Sequence, residues 1–275
     1  MAGNQSIDLH VHSVYSDGSL TPDRLAWLAV QRNVSALAIT DHDSLAGADD
    51  KLAACLSHGV ECVAGVELSC ELDGREAHIL SLFADPASGC AGQLADISRF
   101  REKRMRLMLE RLESLGIHIE LPDLRIGESG AYGRPHLARA MVEKGVVKNL
   151  NEAFGRYLHD GGPVYVEKRR LPMAEGISLA KKLGGAAILA HAGISGLLDD
   201  LDRFVEAGLD GIEVYHPKHG GETIASLLAY CRSRKLLVSG GSDFHSPGDG
   251  AEIGSTRTPR ELLEPLRELA AARKG

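Results

Sequence analysis

The segment that decides the fold reads Ile7-Asp8-Leu9-His10-Val11-His12. Apolar residues alternate with polar ones in this segment, as they do in a β-strand with one polar face. Strict alternation places Asp8, His10 and His12 together on that face. Two imidazoles two residues apart can bind one metal cation, and a hydrogen-bonded pair of core histidines is the alternative.

A unit of apolar strand, polar strand end and helix recurs along most of the chain. In parallel α/β barrels, the catalytic side chains project from the carboxyl ends of the strands. The polar residues expected at such ends are His10, His12, Asp41, His42, Glu67, His191, Glu213, Asp243 and His245, with His78 on the second arm of a hairpin. Because so many imidazoles and carboxylates would be poorly satisfied without cations, they predict a site for several metal ions.

Residues 85–165 interrupt this pattern. An apolar stripe with helical spacing predicts a helix packed in a core, and it consists of Ile97, Phe100, Met105, Met108, Leu112 and Leu115. We therefore predict a metal-binding barrel at 1–84 and 166–275, with a helical insertion (cap) subdomain at 85–165. An insertion between barrel strands commonly shapes the site at the strand-end face.

The chain length, the net charge and the number of cysteines exclude several other classes of protein. A chain of 275 residues suffices for one barrel with an insertion, and its net charge of −7 provides no overall positive field for nucleic acid. The five cysteines are odd in number and form no Cys-x-x-Cys pair, which indicates a reducing compartment. Without a long apolar run or a signal-peptide pattern, the expected location is cytoplasmic.

Several motifs resemble those of the PHP (polymerase and histidinol phosphatase) family. They are Asp8-Leu9-His10-Val11-His12, Thr40-Asp41-His42-Asp43, Gly65-Val66-Glu67, Ala190-His191 and Gly240-Gly241-Ser242-Asp243-Phe244-His245. The insertion and its segment Gly133-Arg134-Pro135-His136 are similar to a bacterial subgroup labelled TrpH or YciV. That subgroup includes a 3′,5′-nucleotide bisphosphate phosphatase and a 5′→3′ exoribonuclease. The resemblance implies an α/β fold, a distorted (β/α)7 barrel that holds up to three divalent metals.

The resemblance also implies the metal ligands. It places His10, His12, Glu67 and Asp243 on one metal, His78 and His191 with a bridging Glu67 on a second, and Asp17, His42 and His245 on a third. Many relatives have histidine where this chain has Asp17, and an oxygen ligand there favours Mn²⁺ or Fe²⁺ over Zn²⁺. The expected cofactors are two or three divalent metal ions per chain, Mn²⁺ first and Fe²⁺ or Zn²⁺ as alternatives. A second departure is Ala192, which follows His191 where the family pattern has proline.

Two metals about 3.5–4 Å apart can share a water and lower its pKa toward neutral, which gives a hydroxide that attacks phosphorus. The candidate catalytic residues are Asp17, Arg134 and His219, and the candidate substrate-binding residues are Arg134, His136, Lys168, Arg169 and His219. The basic run Lys168–Arg170 could instead be a solvated face, and His219 a plain surface histidine. Asp41 and Glu213 are expected to orient ligand imidazoles rather than to bind metal.

The leading hypothesis is a metal-dependent phosphoesterase that removes the 3′-phosphate of nucleoside 3′,5′-bisphosphates, degrades short RNA from its 5′ end, or does both. Histidinol phosphate phosphatase activity is the rival within the family. A metal-dependent amidohydrolase and a non-catalytic metal-binding module are alternatives from other classes. The expected partner is a small nucleotide or a short RNA, and neither a membrane nor an obligate protein partner is expected.

Overall fold

The computed structural model describes residues 5–124, 132–248 and 250–274. Its strands are β1 (Ser6–Val11), β2 (Val34–Ile39), β3 (Glu61–Leu72), β4 (Arg75–Leu82), β5 (Leu171–Pro172), β6 (Ala186–Leu189), β7 (Gly211–Tyr215), β8 (Leu237–Gly240) and β9 (Thr258–Pro259). Its helices are α1 (Pro22–Gln31), α2 (Ala48–Ser57), α3 (Ala91–Ser114), α4 (Arg134–Glu143), α5 (Leu150–Ala153), α6 (Met173–Lys182), α7 (Leu201–Glu206), α8 (Gly221–Arg234) and α9 (Leu263–Lys274). No helix in these ranges is both long and apolar enough to cross a membrane.

Seven strands form a nearly closed barrel in the order β8-β7-β6-β4-β3-β2-β1. All neighbours pair in parallel except β4, which runs antiparallel to both β3 and β6. The residues that follow β8 form hydrogen bonds with β1 and the residue after it. The amide of His12 donates to Phe244 O at 2.9 Å, and the amide of Asp243 donates to His10 O at 2.8 Å. The predicted distorted (β/α)7 barrel is confirmed, and the antiparallel β4 is the distortion.

The strict alternation predicted for β1 is wrong. The register of β1 against β2 shifts between Asp8 and Val11, where three steps along β1 face two along β2. This β-bulge puts Val11 in the cluster with α1, whereas Leu9 lies in the cluster inside the barrel. The Asp8 carboxylate accepts backbone amides of Ser242 and Gly254, both at 2.8 Å, instead of joining the histidines.

The interior of the barrel is closed at its amino-terminal end by apolar side chains. Residues of β1, β2, β3, β4 and β6 share one cluster with Leu263 and Leu266 of α9. Because β1 and β6 are not neighbours in the sheet, their common cluster lies inside the curved sheet. The open end of the barrel is the mouth at the strand carboxyl termini, and the polar residues lie there.

Helices α3, α4 and α5 pack around a cluster of their own, which includes Met105, Met108 and Leu158. In the predicted apolar stripe, Met105, Met108 and Leu112 are buried in this cluster, whereas Phe100 is 45% and Leu115 is 50% exposed. The expectation that these two residues belong to a core is therefore wrong. The boundaries of the insertion subdomain stay a prediction.

Candidate metal centre

The barrel mouth collects all nine residues predicted to bind metal. Strand β1 contributes His10 and His12 and the loop after it Asp17; His42 follows β2, Glu67 lies in β3, His78 in β4, His191 follows β6, and Asp243 and His245 follow β8. Each of the nine has a side-chain nitrogen or oxygen within 3.7 Å of another member of the set. Residues up to 235 positions apart in the chain thus meet at one place.

Glu67 lies at the centre of this group. Its Oε2 is 3.3 Å from His10 Nε2, 3.1 Å from His12 Nε2 and 3.0 Å from His42 Nδ1. All four atoms are buried and have no hydrogen-bond partner within the described residues. Buried polar atoms without partners are costly, and imidazole nitrogen with carboxylate oxygen is a donor set that transition metals accept. The arrangement therefore fits metal cations at this point.

Three groups of side chains offer ligand atoms that all lie within 4.8 Å of one another. They are His10, His12, Glu67 and Asp243; His12, Asp17, His42 and His245; and His42, Glu67 and His78. The first group coincides with the first expected ligand set, and the second contains the third set together with His12. Adjacent groups share side chains, as expected when neighbouring cations are bridged.

His191 joins the same centre through the other oxygen of Glu67. The distances from Glu67 Oε1 are 2.8 Å to His78 Nδ1 and 3.2 Å to His191 Nε2, and these two nitrogens are 3.2 Å apart. Glu67 thus presents one oxygen to each of two neighbouring groups, which is the geometry of a bridging carboxylate.

Opposite charges balance one another in the centre. Burial disfavours protonated imidazole, but Asp243 and Glu67 raise the pKa of His12 to about 10, and Glu67 raises that of His78 to about 9. Burial likewise disfavours ionised carboxylate, and the surrounding histidines nevertheless hold the pKa of Glu67 well below its usual range. Burial instead lowers the pKa of His42 to about 3, so the imidazoles of the centre differ in how readily they give up a proton to a cation.

Two buried carboxylates support the ligands from outside the centre. Glu213 Oε1 lies 3.0 Å from His10 Nδ1, and its Oε2 accepts the amide of His191 at 2.8 Å, in agreement with its expected orienting role. Asp41 instead accepts the hydroxyl of Ser16 at 2.6 Å and binds Lys51, 2.6 Å away. Its contact with an imidazole runs through Ser16, whose Oγ lies 3.4 Å from His12 Nδ1, so its orienting role stays a prediction. The same contact fixes the loop that carries Asp17.

Tight backbone turns follow the strands at the mouth. His191 and Asp243 have φ values of +32° and +53°, in a region that residues other than glycine rarely adopt. Gly241 lies so close to β1 that a Cβ there would collide with the backbone nitrogen and Cβ of His10. These constraints redirect the chain at the strand end, so that Asp243 faces the histidines of β1.

The predicted phosphate contacts in the insertion are engaged elsewhere. Arg134 Nη1 donates to Leu158 O at 2.9 Å and to Asp160 Oδ1 at 2.6 Å. The Nδ1 of His136 accepts the amide of Gly133 at 3.1 Å, and burial lowers the pKa of this histidine to about 4. In this conformation Arg134 contacts Leu158 and Asp160, and within the described residues it forms no hydrogen bond with a predicted metal ligand.

Both ring nitrogens of His219 contact the backbone. Nδ1 donates to Val214 O at 2.9 Å, and Nε2 accepts the amide of Gly193 at 3.1 Å. His216, which was not among the candidate site residues, is closer to the centre, with Nε2 3.6 Å from Asp243 Oδ2. His216 directly follows β7 in the sequence. Since the residues that follow other strands belong to the site, this position could have identified His216 as a candidate.

A cavity of about 640 Å³ opens over the centre. It is lined by Glu67, His78, His191 and Asp243 and by two arginines that were not among the candidates, Arg75 and Arg170. Lys168 and Arg169 line a different cavity next to it. Arg170 belongs to the same basic run, so the sequence indicated the region but not which of its side chains faces the metal centre.

Comparisons with known proteins agree with this geometry. A PHP domain profile matches residues 8–152. A 3′,5′-nucleoside bisphosphate phosphatase from Chromobacterium violaceum is 33% identical over 97% of this chain and 97% of its own length. The 5′-3′ exoribonuclease Rnm of Escherichia coli is 34% identical over 90% of this chain and 87% of its own length. A solved structure of a candidate metal-dependent phosphoesterase from Bifidobacterium adolescentis matches with a TM-score of 0.89 and 30% identity over 96% of each chain.

Proposed function

Because this chain belongs to the PHP family of metal-dependent phosphoesterases, we propose that it hydrolyses phosphate esters of nucleotides. The resemblance drawn from its motifs is confirmed, and the chain is a phosphoric ester hydrolase. The proposed substrate is the 3′-phosphate of nucleoside 3′,5′-bisphosphates. Cleavage of short RNA from its 5′ end is the second candidate, supported by relatives named as exoribonucleases.

The observation that carries this proposal is the convergence of buried imidazole nitrogens on Glu67 Oε2, within 3.0–3.3 Å and without hydrogen bonds. The proposed ligands of two or three divalent cations are His10, His12, Asp17, His42, Glu67, His78, His191, Asp243 and His245. Mn²⁺ is the expected metal, because of the oxygen ligand Asp17, and Fe²⁺ and Zn²⁺ are alternatives. When bound, such cations lower the pKa of water toward neutral and offset charge on phosphoryl oxygens.

The side chains around the cations supply orientation and positive charge. Glu213 holds His10 so that its Nε2 points to Glu67. Arg75 and Arg170 line the cavity, where their guanidinium groups are suited to bind the phosphates of a substrate. The roles assigned from the sequence to Arg134, His136 and His219 require that substrate binding changes their present contacts. Lys168 and Arg169 line the neighbouring cavity, where they keep their proposed role in substrate binding.

A substrate panel with release of inorganic phosphate as the readout tests the proposal. With Mn²⁺ present, we expect turnover of nucleoside 3′,5′-bisphosphates and no turnover of histidinol phosphate. Glu67→Gln and a chelator should each abolish the reaction, whereas Glu206→Gln, on the exposed side of α7, should leave it unchanged. Turnover of histidinol phosphate alone would overturn the assignment.

The alternatives from other classes make different predictions. A non-catalytic metal-binding module and an amidohydrolase would both release no phosphate in this panel, and only the amidohydrolase would hydrolyse amide substrates in a separate assay. The relatives named above are phosphatases and exoribonucleases, so neither alternative is favoured. The division into a barrel at 1–84 and 166–275 and a cap at 85–165, and the cytoplasmic location, stay part of the proposal.

A further inference from the structure

A second cavity, of about 370 Å³, lies beside the metal centre between α3 and residues 166–171. Six of its sixteen lining residues are lysine or arginine, and two are acidic. We call this cavity the basic groove. In a chain with a net charge of −7, such a local excess of positive charge is a distinct feature.

The basic groove and the cavity over the metal centre are neighbours, because Arg170 lines both. At this junction Glu76 pairs with two basic residues, since its Oε1 lies 3.1 Å from Lys168 Nζ and 3.4 Å from Arg170 Nε. Its partners also include His78, with Nε2 3.3 Å away. The two positive charges of Lys168 and Arg170, with His78 beside them, thus exceed the single negative charge of Glu76. The junction therefore still attracts an anion.

The groove also offers flat side chains in addition to charge. Phe100 is 45% exposed, and the guanidinium carbon of Arg169 lies 4.3 Å from the centre of its ring. Lys103 is exposed one helical turn further along α3. Burial lowers the pKa of Arg104 to about 10, and repulsion by the neighbouring Arg134 and Arg101 adds to this shift. An anionic ligand in the groove would relieve this repulsion.

Planar groups beside cationic side chains are the combination that single-stranded nucleic acids use, with bases stacked and phosphates paired. We propose that the basic groove binds the nucleotides that follow the scissile phosphate in a single-stranded RNA, with its 5′ end at the metal centre. This inference rests on the proposed function and goes beyond it. On this proposal, an oligonucleotide contacts the groove as well as the metal centre. A mononucleotide bisphosphate occupies only the cavity over the metal centre.

The double variant Phe100→Ala/Lys103→Glu tests the groove without touching the metal centre. We expect kcat/KM for a 5′-phosphorylated hexaribonucleotide to fall at least about tenfold, since stacking on one aromatic side chain alone supplies a factor of that order. The value for a nucleoside 3′,5′-bisphosphate should not change. The dependence of hexamer KM on salt should also become less steep. The matched control is Leu52→Ala/Lys182→Glu, which removes an exposed apolar residue and reverses an exposed lysine on α2 and α6.

A binding measurement separates failure of this inference from failure of the proposed function. A hexaribonucleotide with phosphorothioate linkages and a 3′ fluorophore reports binding by anisotropy, whether or not the protein hydrolyses RNA. Binding at least about tenfold weaker in the groove variant than in the control variant would support the groove. Equal binding by the two variants, or an equal loss of activity on both substrates, would overturn it. If the protein hydrolysed neither RNA nor the bisphosphate but still bound RNA through the groove, only the proposed function would be refuted.

Discussion

Glu213 contacts two predicted metal ligands and is not itself one of the predicted ligands. A proton on His10 Nδ1 donated to Glu213 Oε1, 3.0 Å away, leaves the lone pair of Nε2 facing Glu67. The same carboxylate holds the amide of His191. Outer carboxylates of this kind fix the tautomer and ring orientation of a ligating histidine.

We expect Glu213→Gln to weaken metal binding about 10–100-fold, because the neutral amide can no longer accept from both partners. Competition for Mn²⁺ with a chelating dye measures the affinity directly. The control is Glu206→Gln, which removes an exposed carboxylate from α7. An unchanged affinity in Glu213→Gln would show that His10 needs no support.

His219 is expected to be a positioning residue, since both of its ring nitrogens already bind backbone groups of Val214 and Gly193. A general acid contributes about 10²–10⁴-fold to the rate. We therefore expect His219→Gln to lower kcat/KM by less than about tenfold, while the alkaline limb of its pH profile keeps its position. Loss of that limb, with a larger drop in kcat, would instead identify His219 as the general acid.

At the residue scale, the sequence indicates which side chains meet but not how they point. Alternating patterns locate strand ends, and strand ends of a barrel converge, so His10, Glu67 and Asp243 could be expected at one mouth. The direction of Arg134 depends on Leu158 and Asp160, which lie 24 and 26 positions further along the chain. No local pattern encodes such a contact.

At the scale of elements, one buried ion pair joins α3 to the barrel mouth. Arg101 Nε donates to Asp43 Oδ2 at 2.8 Å, and its Nη2 to the hydroxyl of Ser69 at 3.1 Å. Burial raises the pKa of Asp43, but Arg101 more than offsets this and holds it at about 2. We expect Arg101→Met to cost about 3–5 kcal/mol in the free energy of unfolding, because it leaves a buried carboxylate without its partner.

Urea denaturation measures this loss. The matched variant is Arg101→Met/Asp43→Asn, which removes both charges and should recover part of the stability. Equal stability of the single and the double variant would show that the pair does not connect α3 to the barrel.

The same pair gives an expected pH dependence. The pKa of Asp43 in the folded state, about 2, is below its usual value of 3.8, so ionised Asp43 stabilises the fold above pH 4. This contribution, about 2 kcal/mol, is lost as the pH falls from about 4 to about 2. Acid unfolding followed by circular dichroism should therefore begin at a higher pH in Arg101→Met than in the wild type. Coincident acid transitions would contradict this assignment.

Strands and helices with a clear apolar period could be predicted from sequence, and the stripe from Ile97 to Leu112 does lie on a helix, α3 (Ala91–Ser114). Features that depend on a distant partner could not. The bulge in β1 arises against β2 and carries Asp8 toward the amides of Ser242 and Gly254. Strand β9 exists only because two residues near the end of the chain pair with Ser6 and Ile7.

At the scale of the whole molecule, the metal centre brings together side chains from most of the strands that form the barrel. Its residues come from β1, β3 and β4 and from the chain behind β1, β2, β6 and β8. Buried histidines and carboxylates at this density repel or desolvate one another unless protons or cations balance them. Cations bound here should therefore contribute to the stability of the entire barrel and not only to catalysis.

Removal of metal tests this coupling. A ligand at 100 times its Kd stabilises the folded state by about 2.7 kcal/mol, and in a chain of this size each kcal/mol raises Tm by about 2–4 °C. We expect a chelator to lower Tm by about 5–10 °C and excess Mn²⁺ to restore it, with calorimetry as the measurement. Glu67→Gln should show little response to either addition, because Glu67 lies within 3.3 Å of five histidines of the centre. A wild-type Tm that does not respond to chelator and metal would mean that these side chains hold the barrel mouth together without cations.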